Sequence, residues 1–277
     1  MIRLIVSDVD GTLAPEGARE LDPHLFHFIK ELQKRKIRFV AASGRQYESV
    51  RNIFLPVCNE IFFIADNGAY IIEAGNVLAA NTFSGDTWKS IIRHIRKVPD
   101  SHFMVSSMDG SFTESRKGSF HRLLTDNYAV QLKYAQDVTA LDLRVSKIGL
   151  YLERPEEMVP GHIAEEGTRI FGTSAHVVAS GSCWVDFVAP GTDKGNALHK
   201  LQQMLRISPE ETMAFGDNHN DIGMFLSAGE SYAVSTAPLQ VREAANHVLA
   251  AGPEGSGVMH MLEYVIQESD KSKNDIA

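Results

Sequence analysis

The chain has 277 residues, 44% of them hydrophobic and 22% charged, which is the composition of a soluble globular protein with one or two domains. Its formal net charge of −8 argues against a nucleic-acid partner, because proteins that bind nucleic acids usually present a basic face. Two cysteines occur, Cys58 and Cys183, in apolar settings far apart in the sequence. They are typical of thiols in a reducing compartment rather than of a disulfide or a metal–thiolate site.

No apolar stretch approaches the roughly 20 residues that a membrane-spanning helix needs. The apolar start of the chain is interrupted by Asp8 too early for the hydrophobic segment of a signal peptide. These patterns predict a cytoplasmic protein with no membrane partner, and nothing in the sequence indicates an obligate protein partner.

The first part of the chain alternates predicted strands and helices. Residues 2–7 are almost continuously apolar, which suits a strand buried on both faces of a parallel sheet. Asp22 and Pro23 then form a helix start, and apolar residues at helical spacing predict a helix over 23–35. The same rhythm continues with a strand at 37–42, a helix near 46–55 and a strand at 61–65. This order predicts right-handed crossovers and a doubly wound α/β sheet.

The pattern becomes irregular after a predicted hairpin that turns at Gly75 and Asn76. The elements expected next are helices near 85–97 and 118–128 and strands near 102–107, 147–152, 175–180 and 183–188. The α/β rhythm then returns with a helix from Lys194, a strand at 212–215, a helix over 220–228 and a strand at 231–234. We therefore predict a discontinuous core domain, 1–82 with 187–277, and an inserted α+β domain over 83–186.

The strongest chemical signal is the run from Asp8 to Thr12, DVDGT, directly after the first strand. In an open parallel sheet, ligands bind outside the carboxyl ends of the strands. Two carboxylates separated by one residue at that place can serve one reacting centre. The alternative is a plain surface turn, since Asp and Gly are common turn residues.

Three further clusters follow later strands. Ser43, Gly44 and Arg45 offer a hydroxyl, a backbone N–H and a cation, which together suit a phosphate, although Ser43 alone is equally typical of a helix N-cap. Lys194 lies in a glycine-containing lead into a helix, where a single lysine is normally a solvated charge. The run GDNHND at 216–221 holds two Asp and two Asn at the end of a strand, which a plain turn would not need.

Taken together, the four clusters resemble the motifs of the haloacid dehalogenase superfamily of phosphatases. DVDGT is similar to its first motif, SGR to its second, Lys194 with Gly195 to its third, and GDNHND to its fourth. The pattern GDxxNDxxM, which ends at Met224, and the run ADNGA at 65–69 resemble the Cof-type subgroup, class IIB. The resemblance implies a Rossmann-like core with an α/β cap inserted between the second and third motifs.

This resemblance implies a Mg²⁺-dependent phosphomonoester hydrolase that acts on small phosphorylated metabolites, such as sugar phosphates or phosphorylated cofactors. Asp8 would be the nucleophile and would carry an aspartyl-phosphate. Asp10 would protonate the leaving oxygen and then activate water. Lys194 would favour the ionised form of Asp8 and would contact the phosphoryl group.

The binding residues are expected in three groups. Mg²⁺ would be held by Asp8, the backbone carbonyl of Asp10 and Asp217, with Asp221 orienting a metal-bound water or Lys194. The phosphoryl oxygens would be held by Ser43, the Gly44 N–H, Lys194 and Asn220. Arg45 and Asn67 are candidates for contacts with the substrate or the cap, and hydrogen bonds that stabilise their own loops are the alternative.

Two other functions compete with the hydrolase. A phosphomutase would use the same intermediate on Asp8 but would return the phosphoryl group to the substrate. A binding protein built on a degenerate phosphatase core would be expected to have lost Asp8, Asp10, Lys194 or Asp217, and all four are present.

Overall fold

The computed structural model describes residues 1–128, 130, 132–180, 182–250 and 255–274. The strands are β1 (Leu4–Asp8), β2 (Arg38–Ala42), β3 (Phe62–Ala65), β4 (Tyr70–Glu73), β5 (Asn76–Ala80), β6 (Ser101–Ser107), β7 (Gly110–Thr113), β8 (Leu132–Tyr134), β9 (Val145–Leu152), β10 (His176–Ala179), β11 (Trp184–Val188), β12 (Thr212–Gly216), β13 (Glu230–Ala233) and β14 (His247–Val248). The helices are α1 (Pro23–Lys34), α2 (Tyr47–Ile53), α3 (Thr87–Ile95), α4 (Gly118–Tyr128), α5 (Pro160–Phe171), α6 (Lys194–Leu205), α7 (Ile222–Leu226), α8 (Leu239–Ala244) and α9 (Ser256–Asn274).

The chain divides into two compact units. The first comprises Met1–Ala80 with Asp193–Ala277, and the second comprises Asn81–Thr192. The sequence placed the inserted domain at 83–186, and that end point would cut through β11. The structure keeps β11 whole in the second unit, because β11 pairs with β10 on one side and with β9 on the other.

The first unit is built on an eight-stranded sheet in the order β14-β13-β12-β1-β2-β3-β4-β5. The strands from β14 to β3 are parallel, and the hairpin of β4 and β5 adds two antiparallel strands at one edge. β1 lies between β12 and β2, where its five residues are all buried. The carboxyl ends of β1, β2 and β12 therefore meet at one edge of the sheet, which is where ligands bind in such folds.

The helices of the first unit bury their apolar stripes as the sequence spacing requires. In α1, Leu25, Ile29 and Leu32 are buried, and the side chain of Asp22 accepts a hydrogen bond from the His24 N–H at 2.9 Å as the N-cap. The predicted helix over 220–228 is shorter in the structure. It begins as a turn of 3₁₀ helix at His219–Asp221 and continues as α7 to Leu226.

The second unit contains a six-stranded sheet in the order β10-β11-β9-β6-β7-β8, which is antiparallel except for the β7–β8 pair. α3 and α5 contribute to its main apolar core. Helix α4 contributes Phe120 to a smaller cluster with Tyr151 and Trp184. Ser119 and Glu153 lie beside this cluster at a cavity of about 330 Å³.

The sequence predicted two unpaired cysteines and no membrane-spanning segment. Cys58 and Cys183 are both free, and Cys58 is buried. Within the described residues, no helix combines the length and the apolar character that crossing a bilayer would require.

Candidate active site

The structure brings three carboxylates together at the carboxyl ends of β1 and β12. Asp8 is the last residue of β1 and is 5% exposed, while Asp217 directly follows β12. Asp221 lies in the short 3₁₀ turn that follows and is fully buried. One oxygen from each of the three carboxylates lies within 4.8 Å of the others. Because β1 and β12 are parallel neighbours, residues that are far apart in sequence meet at this edge of the sheet.

Lys194 is fully buried and links two of these carboxylates. It is the first residue of α6, and its Nζ donates to Oδ1 of Asp8 and, at 2.7 Å, to Oδ1 of Asp221. The other oxygen of Asp221 accepts from the backbone N–H groups of Asp217 and Asn218, both at 3.0 Å. Both oxygens of Asp221 are therefore occupied by protein donors, which suits the predicted orienting role better than direct metal ligation. We refer to Asp8, Lys194 and Asp221 as the buried cluster.

Burial and neighbouring charges together set the electrostatics of this site. Desolvation raises the pKa of the Asp8 carboxyl well above its ordinary value, against the attraction of Lys194, and the charge of Asp221 raises it further. Desolvation also raises the pKa of Asp217, although a hydrogen bond from Thr12 opposes the shift. For Lys194, burial favours the neutral form, but the charges of Asp221 and Asp8 outweigh it and raise the pKa of the ammonium. Lys194 is therefore a buried cation.

The donor set at this place fits a hard divalent cation. Three carboxylates lie around one ammonium, so full ionisation leaves an excess of two negative charges. Oδ2 of Asp8 is buried and, among the described residues, has no hydrogen-bond partner. Such an atom is costly unless something neutralises it, and carboxylate oxygens are the ligands that Mg²⁺ prefers. Asp8 and Asp217 are the residues best able to hold the ion.

Thr12 is a residue whose role the sequence analysis did not assign. Its side chain is buried, and Oγ1 donates to Oδ1 of Asp217 at 2.9 Å, so it orients a carboxylate that lies 205 positions further along the chain. The only signal was the place of Thr12 at the end of DVDGT, and one hydroxyl does not reveal its partner.

Asp10 lies outside the buried cluster, and Arg45 holds its carboxylate. Nε of Arg45 donates to Oδ2 of Asp10 at 2.8 Å, and Nη2 donates to Oδ1 at 2.5 Å. The backbone N–H of Gly17 also donates to Oδ1, at 2.9 Å. The side chains of Arg45 and Asp10 are 17% and 24% exposed. We refer to Asp10 and Arg45 as the rim fork. Arg45 was predicted to contact the substrate or the cap, and the contacts that the structure describes are with Asp10 and the loop carbonyl of Ala18.

The predicted phosphate-binding residues lie on neighbouring loops. Ser43 is buried at the end of β2, and its Oγ accepts from the Arg45 N–H at 3.0 Å. Nδ2 of Asn220 donates to Oδ1 of Asn67 at 2.9 Å. The Asn67 amide also lies against Gly44, where a Cβ would come within 3.1 Å of Asn67 Oδ1. Asn67 therefore connects the loop that follows β2 with the loop that follows β12.

Asn67 belongs to a strained turn formed by Asp66, Asn67 and Gly68, which we call the 66–68 turn. Asp66 and Asn67 have φ angles of 50° and 54°, in the left-handed region that residues with a side chain rarely adopt. Gly68 has φ 101°, and a Cβ there would lie 2.2 Å from the Asp193 carbonyl oxygen. The Asn67 N–H donates to the Ser43 carbonyl at 3.0 Å. These contacts hold the turn against the loops that carry the second and third motifs.

Asp193 directly precedes Lys194 and fixes the start of its helix. Asp193 is the N-cap of α6, where its carboxylate accepts from the Asn196 N–H at 2.7 Å. A carboxylate at this position also interacts favourably with the positive end of the helix dipole. The residue therefore fixes the first turn of the helix that begins with Lys194.

A buried carboxylate at the end of a central parallel strand, next to a buried lysine and two further carboxylates, is typical of phosphatase-type α/β hydrolases. The sequence profile described as haloacid dehalogenase-like hydrolase matches residues 5–262, and the chain belongs to this family. Membership confirms the predicted family and the phosphatase class.

Individual relatives agree with this assignment. The chain is 27% identical over 266 residues to the 5-amino-6-(5-phospho-D-ribitylamino)uracil phosphatase of Escherichia coli (strain K12), covering 96% of this chain and 97% of that protein. A crystal structure from Eubacterium rectale is 32% identical with a TM-score of 0.86, covering 95% of this chain and 99% of that one. A subclass IIB sugar phosphatase shares the fold, with 18% identity, a TM-score of 0.73 and coverage of 95% and 98%. The predicted fold class, a doubly wound core with an inserted α+β cap, is confirmed.

Proposed function

We propose that this phosphatase hydrolyses small phosphate monoesters with the help of Mg²⁺ and passes the phosphoryl group through an aspartyl-phosphate on Asp8. The observation that carries the proposal is the state of the Asp8 carboxylate. It ends the central strand, one oxygen accepts from the buried Lys194, and the other is buried without a partner among the described residues. Once ionised, a carboxylate held by a cation and carrying one unsatisfied oxygen is suited to attack phosphorus or to bind a metal ion.

The first half of the proposed reaction transfers the phosphoryl group to the enzyme. An Asp8 oxygen attacks phosphorus, the bond between phosphorus and the ester oxygen breaks, and Asp10 gives its proton to the departing alcohol. In the second half, Asp10 takes a proton from water, the resulting hydroxide attacks phosphorus, and the bond from phosphorus to the Asp8 oxygen breaks. Inorganic phosphate leaves, and both carboxyl groups return to their starting states.

The other proposed roles follow from position. Asp8, the Asp10 carbonyl and Asp217 would hold Mg²⁺, which when bound supplies positive charge to the phosphoryl oxygens. Ser43, the Gly44 N–H, Lys194 and Asn220 would hold those oxygens in line for attack. Phosphate esters are so inert that most of the acceleration has to come from positioning and charge stabilisation of this kind.

For the substrate class we propose sugar phosphates and phosphorylated cofactors or their precursors. Relatives carry names of this type: the Escherichia coli protein is a phosphatase of a phosphoribitylamino-uracil, and the subclass IIB structure is that of a sugar phosphatase. Both names describe small phosphorylated molecules, and we extend that chemistry to this chain as part of the proposal.

The proposal is tested by measuring phosphate release from p-nitrophenyl phosphate and from a panel of sugar and cofactor phosphates in the presence of Mg²⁺. We expect the wild type to release phosphate and Asp8→Asn to lose at least about 10³-fold in kcat, because the amide cannot form the acyl phosphate. Acid quenching followed by mass spectrometry should show one added phosphoryl group on the peptide that contains Asp8. Chelation of the metal should stop the reaction reversibly.

Asp22→Asn is the matched control, since it makes the same isosteric change at a helix cap outside the site and Asn also caps helices well. We expect it to retain wild-type activity. Substantial turnover by Asp8→Asn would remove Asp8 as the nucleophile, and full activity in chelator would remove the metal from the proposal. Product analysis separates hydrolysis from mutase chemistry, because a mutase would release an isomeric phosphate ester instead of inorganic phosphate.

A further inference from the structure

We infer that Arg45 is a positioning residue which aims one oxygen of Asp10, Oδ2, at the site of proton transfer. The inference rests on the proposed function and goes beyond it, because it assigns the direction of the acid–base carboxylate to a residue outside the catalytic set. Two parallel hydrogen bonds from one planar guanidinium, at 2.8 and 2.5 Å, fix both the place and the plane of a carboxylate.

The two oxygens of Asp10 are held unequally. Oδ1 accepts from Nη2 of Arg45 and from the Gly17 N–H, whereas Oδ2 accepts from Nε of Arg45. A carboxylate oxygen offers about two lone-pair positions, so the two described donors fill those of Oδ1, while the one described donor leaves a position on Oδ2. Oδ2 is therefore the oxygen that can carry a proton while both hydrogen bonds from Arg45 to Asp10 remain formed.

Arg45 is itself anchored at three points, as an orienting group must be. Its N–H donates to the Ser43 hydroxyl at 3.0 Å, and its carbonyl accepts from the Asp66 N–H at 2.9 Å. At the far end of the side chain, Nη2 also donates to the Ala18 carbonyl at 2.8 Å. Its side chain is 17% exposed. The position of the guanidinium is thus fixed by the loop after β2 and by the loop after β1.

This arrangement has a consequence for each half of the proposed reaction. In the first half, a proton leaves Oδ2 for the ester oxygen as the bond from that oxygen to phosphorus breaks. In the second half, Oδ2 accepts a proton from water as the water oxygen bonds to phosphorus. Both transfers use the same oxygen, which first gives up a proton and then takes one, so a change in the orientation of the Asp10 carboxylate should slow whichever step depends on proton transfer.

The inference predicts an effect that depends on the leaving group. Alkoxides are strong bases and need a proton as they leave, whereas p-nitrophenolate leaves readily without one. We therefore expect Arg45→Ala to slow the first turnover of the fastest alkyl phosphate in the panel by about 10²-fold, the usual size of general acid catalysis. The rate of the stopped-flow burst of p-nitrophenolate should change by less than about fivefold, because this leaving group needs no proton.

Two further measurements separate positioning from a general loss of structure. Guanidinium ion at low concentration should restore part of the alkyl ester rate to Arg45→Ala, because it can again donate two parallel hydrogen bonds. Arg45→Lys should remain slow on alkyl esters, since an ammonium cannot form the fork.

Arg35→Ala is the matched control, because Arg35 makes the same fork with Asp270 in the same unit, at 2.9 and 2.6 Å, away from the site. It should lose thermal stability comparably but leave the ratio of the two rates at the wild-type value.

Several outcomes would overturn the inference. Equal losses on both esters would mean that Arg45 acts on the phosphoryl group, and a raised KM with unchanged kcat would make it a substrate contact. Full activity of Arg45→Lys would show that no fork is needed. These outcomes leave the proposed function intact if the wild type is active and Asp8→Asn is not. Absence of ester cleavage by the wild type would instead overturn the proposed function, and this inference with it.

Discussion

Asp8 and Asp10 are separated by one residue, yet the buried cluster and the rim fork give them opposite surroundings. Asp8 is 5% exposed and shares one buried lysine with Asp221, whereas Asp10 is 24% exposed in its side chain and has an arginine fork to itself. Lysine supplies a compact charge that several acceptors can share, while arginine supplies fixed directions. The buried cluster is therefore suited to controlling the charge of Asp8, and the rim fork is suited to fixing the direction of the Asp10 carboxylate.

The difference shows how one short loop can serve two tasks. A nucleophile has to be ionised when it attacks, and Lys194 offsets part of the desolvation that raises the pKa of the buried Asp8. An acid–base group has to exchange protons with an incoming molecule, so it needs partial access and a fixed direction. The separation by Val9 is enough because Asp8 still belongs to β1, while Asp10 lies in the turn whose Gly11 N–H donates to the Ala14 carbonyl at 2.7 Å.

The largest effect should come from removing the shared cation. Lys194→Met leaves Asp8 and Asp221 buried together without a counter-charge, which typically costs about 3–5 kcal/mol of stability. We expect kcat to fall by at least about 10²–10³-fold, as when a charge-stabilising donor is lost. Urea unfolding and turnover measure the two effects. Lys200→Met, an exposed position in the same helix, should change neither. A stable, active Lys194→Met would contradict the view that this lysine sets the charge of the cluster.

The next effect concerns pH and should come from Asp8, with a contribution from Asp217, rather than from the rim fork. Because the pKa of Asp8 lies above the ordinary value of about 3.9, the metal-free folded state retains a proton that the unfolded chain has already lost. The stability of the metal-free protein therefore falls as pH rises through the raised pKa. Mg²⁺ needs the ionised carboxylate, so the increase in Tm that Mg²⁺ causes should grow over the same range.

Differential scanning fluorimetry with Mg²⁺ and with chelator, from the ordinary carboxyl pKa of about 4 upward, measures this increase. Asp8→Asn should flatten the dependence on pH, whereas Arg45→Ala should leave its slope unchanged. A Mg²⁺ effect on Tm that is constant, or that shrinks with rising pH, would contradict the assignment of the titrating group to the cluster.

The smallest effect should come from the 66–68 turn, which supports the buried cluster and the rim fork through the loop after β2. Asn67→Gly keeps the left-handed backbone but removes the hydrogen bond with Asn220, so we expect kcat/KM to fall about 5- to 10-fold. Asn67→Ala should lose the same activity and about 1 kcal/mol more stability, because Ala is strained at this φ angle. Asn76→Gly, at an exposed position, is the control. Wild-type kinetics of Asn67→Gly would limit the turn to a structural role.

Much of the site could be predicted because the first, second and fourth motifs lie at or directly after the ends of strands β1, β2 and β12. A buried apolar run locates the strand, and parallel neighbours place Asp8 and Asp217 at the same edge without further information. The directions of long side chains could not be predicted in this way. Arg45 was expected either to contact the substrate or the cap or to stabilise its own loop, and its guanidinium reaches Asp10 across two loops whose conformations depend on the whole fold.

In the second unit, α5 was not predicted from the sequence because of the way it packs. Its buried residues include Ala164 and Gly167 rather than a stripe of large apolar side chains. A Cβ at Gly167 would lie 3.0 Å from Val177 and Phe187, so the helix lies too close to its sheet for larger residues. Periodicity arguments detect large apolar residues, and a helix that packs through small ones escapes them. Strands β7 and β8 of this unit were also not predicted, nor were β14, α8 and α9 of the first unit.

The position of β1 between β2 and β12 has a consequence for synthesis of the chain. Leu4 pairs in register with Thr212, so one side of the central strand has no partner until most of the chain has left the ribosome. The second unit is a continuous stretch from Asn81 to Thr192, and it leaves the ribosome before β12 is synthesised. Until β12 has been synthesised, one edge of β1 has unpaired backbone N–H and C=O groups. Nascent chains can associate wrongly at such edges. We therefore expect dependence on chaperones during translation to be greatest while residues 81–212 are being made.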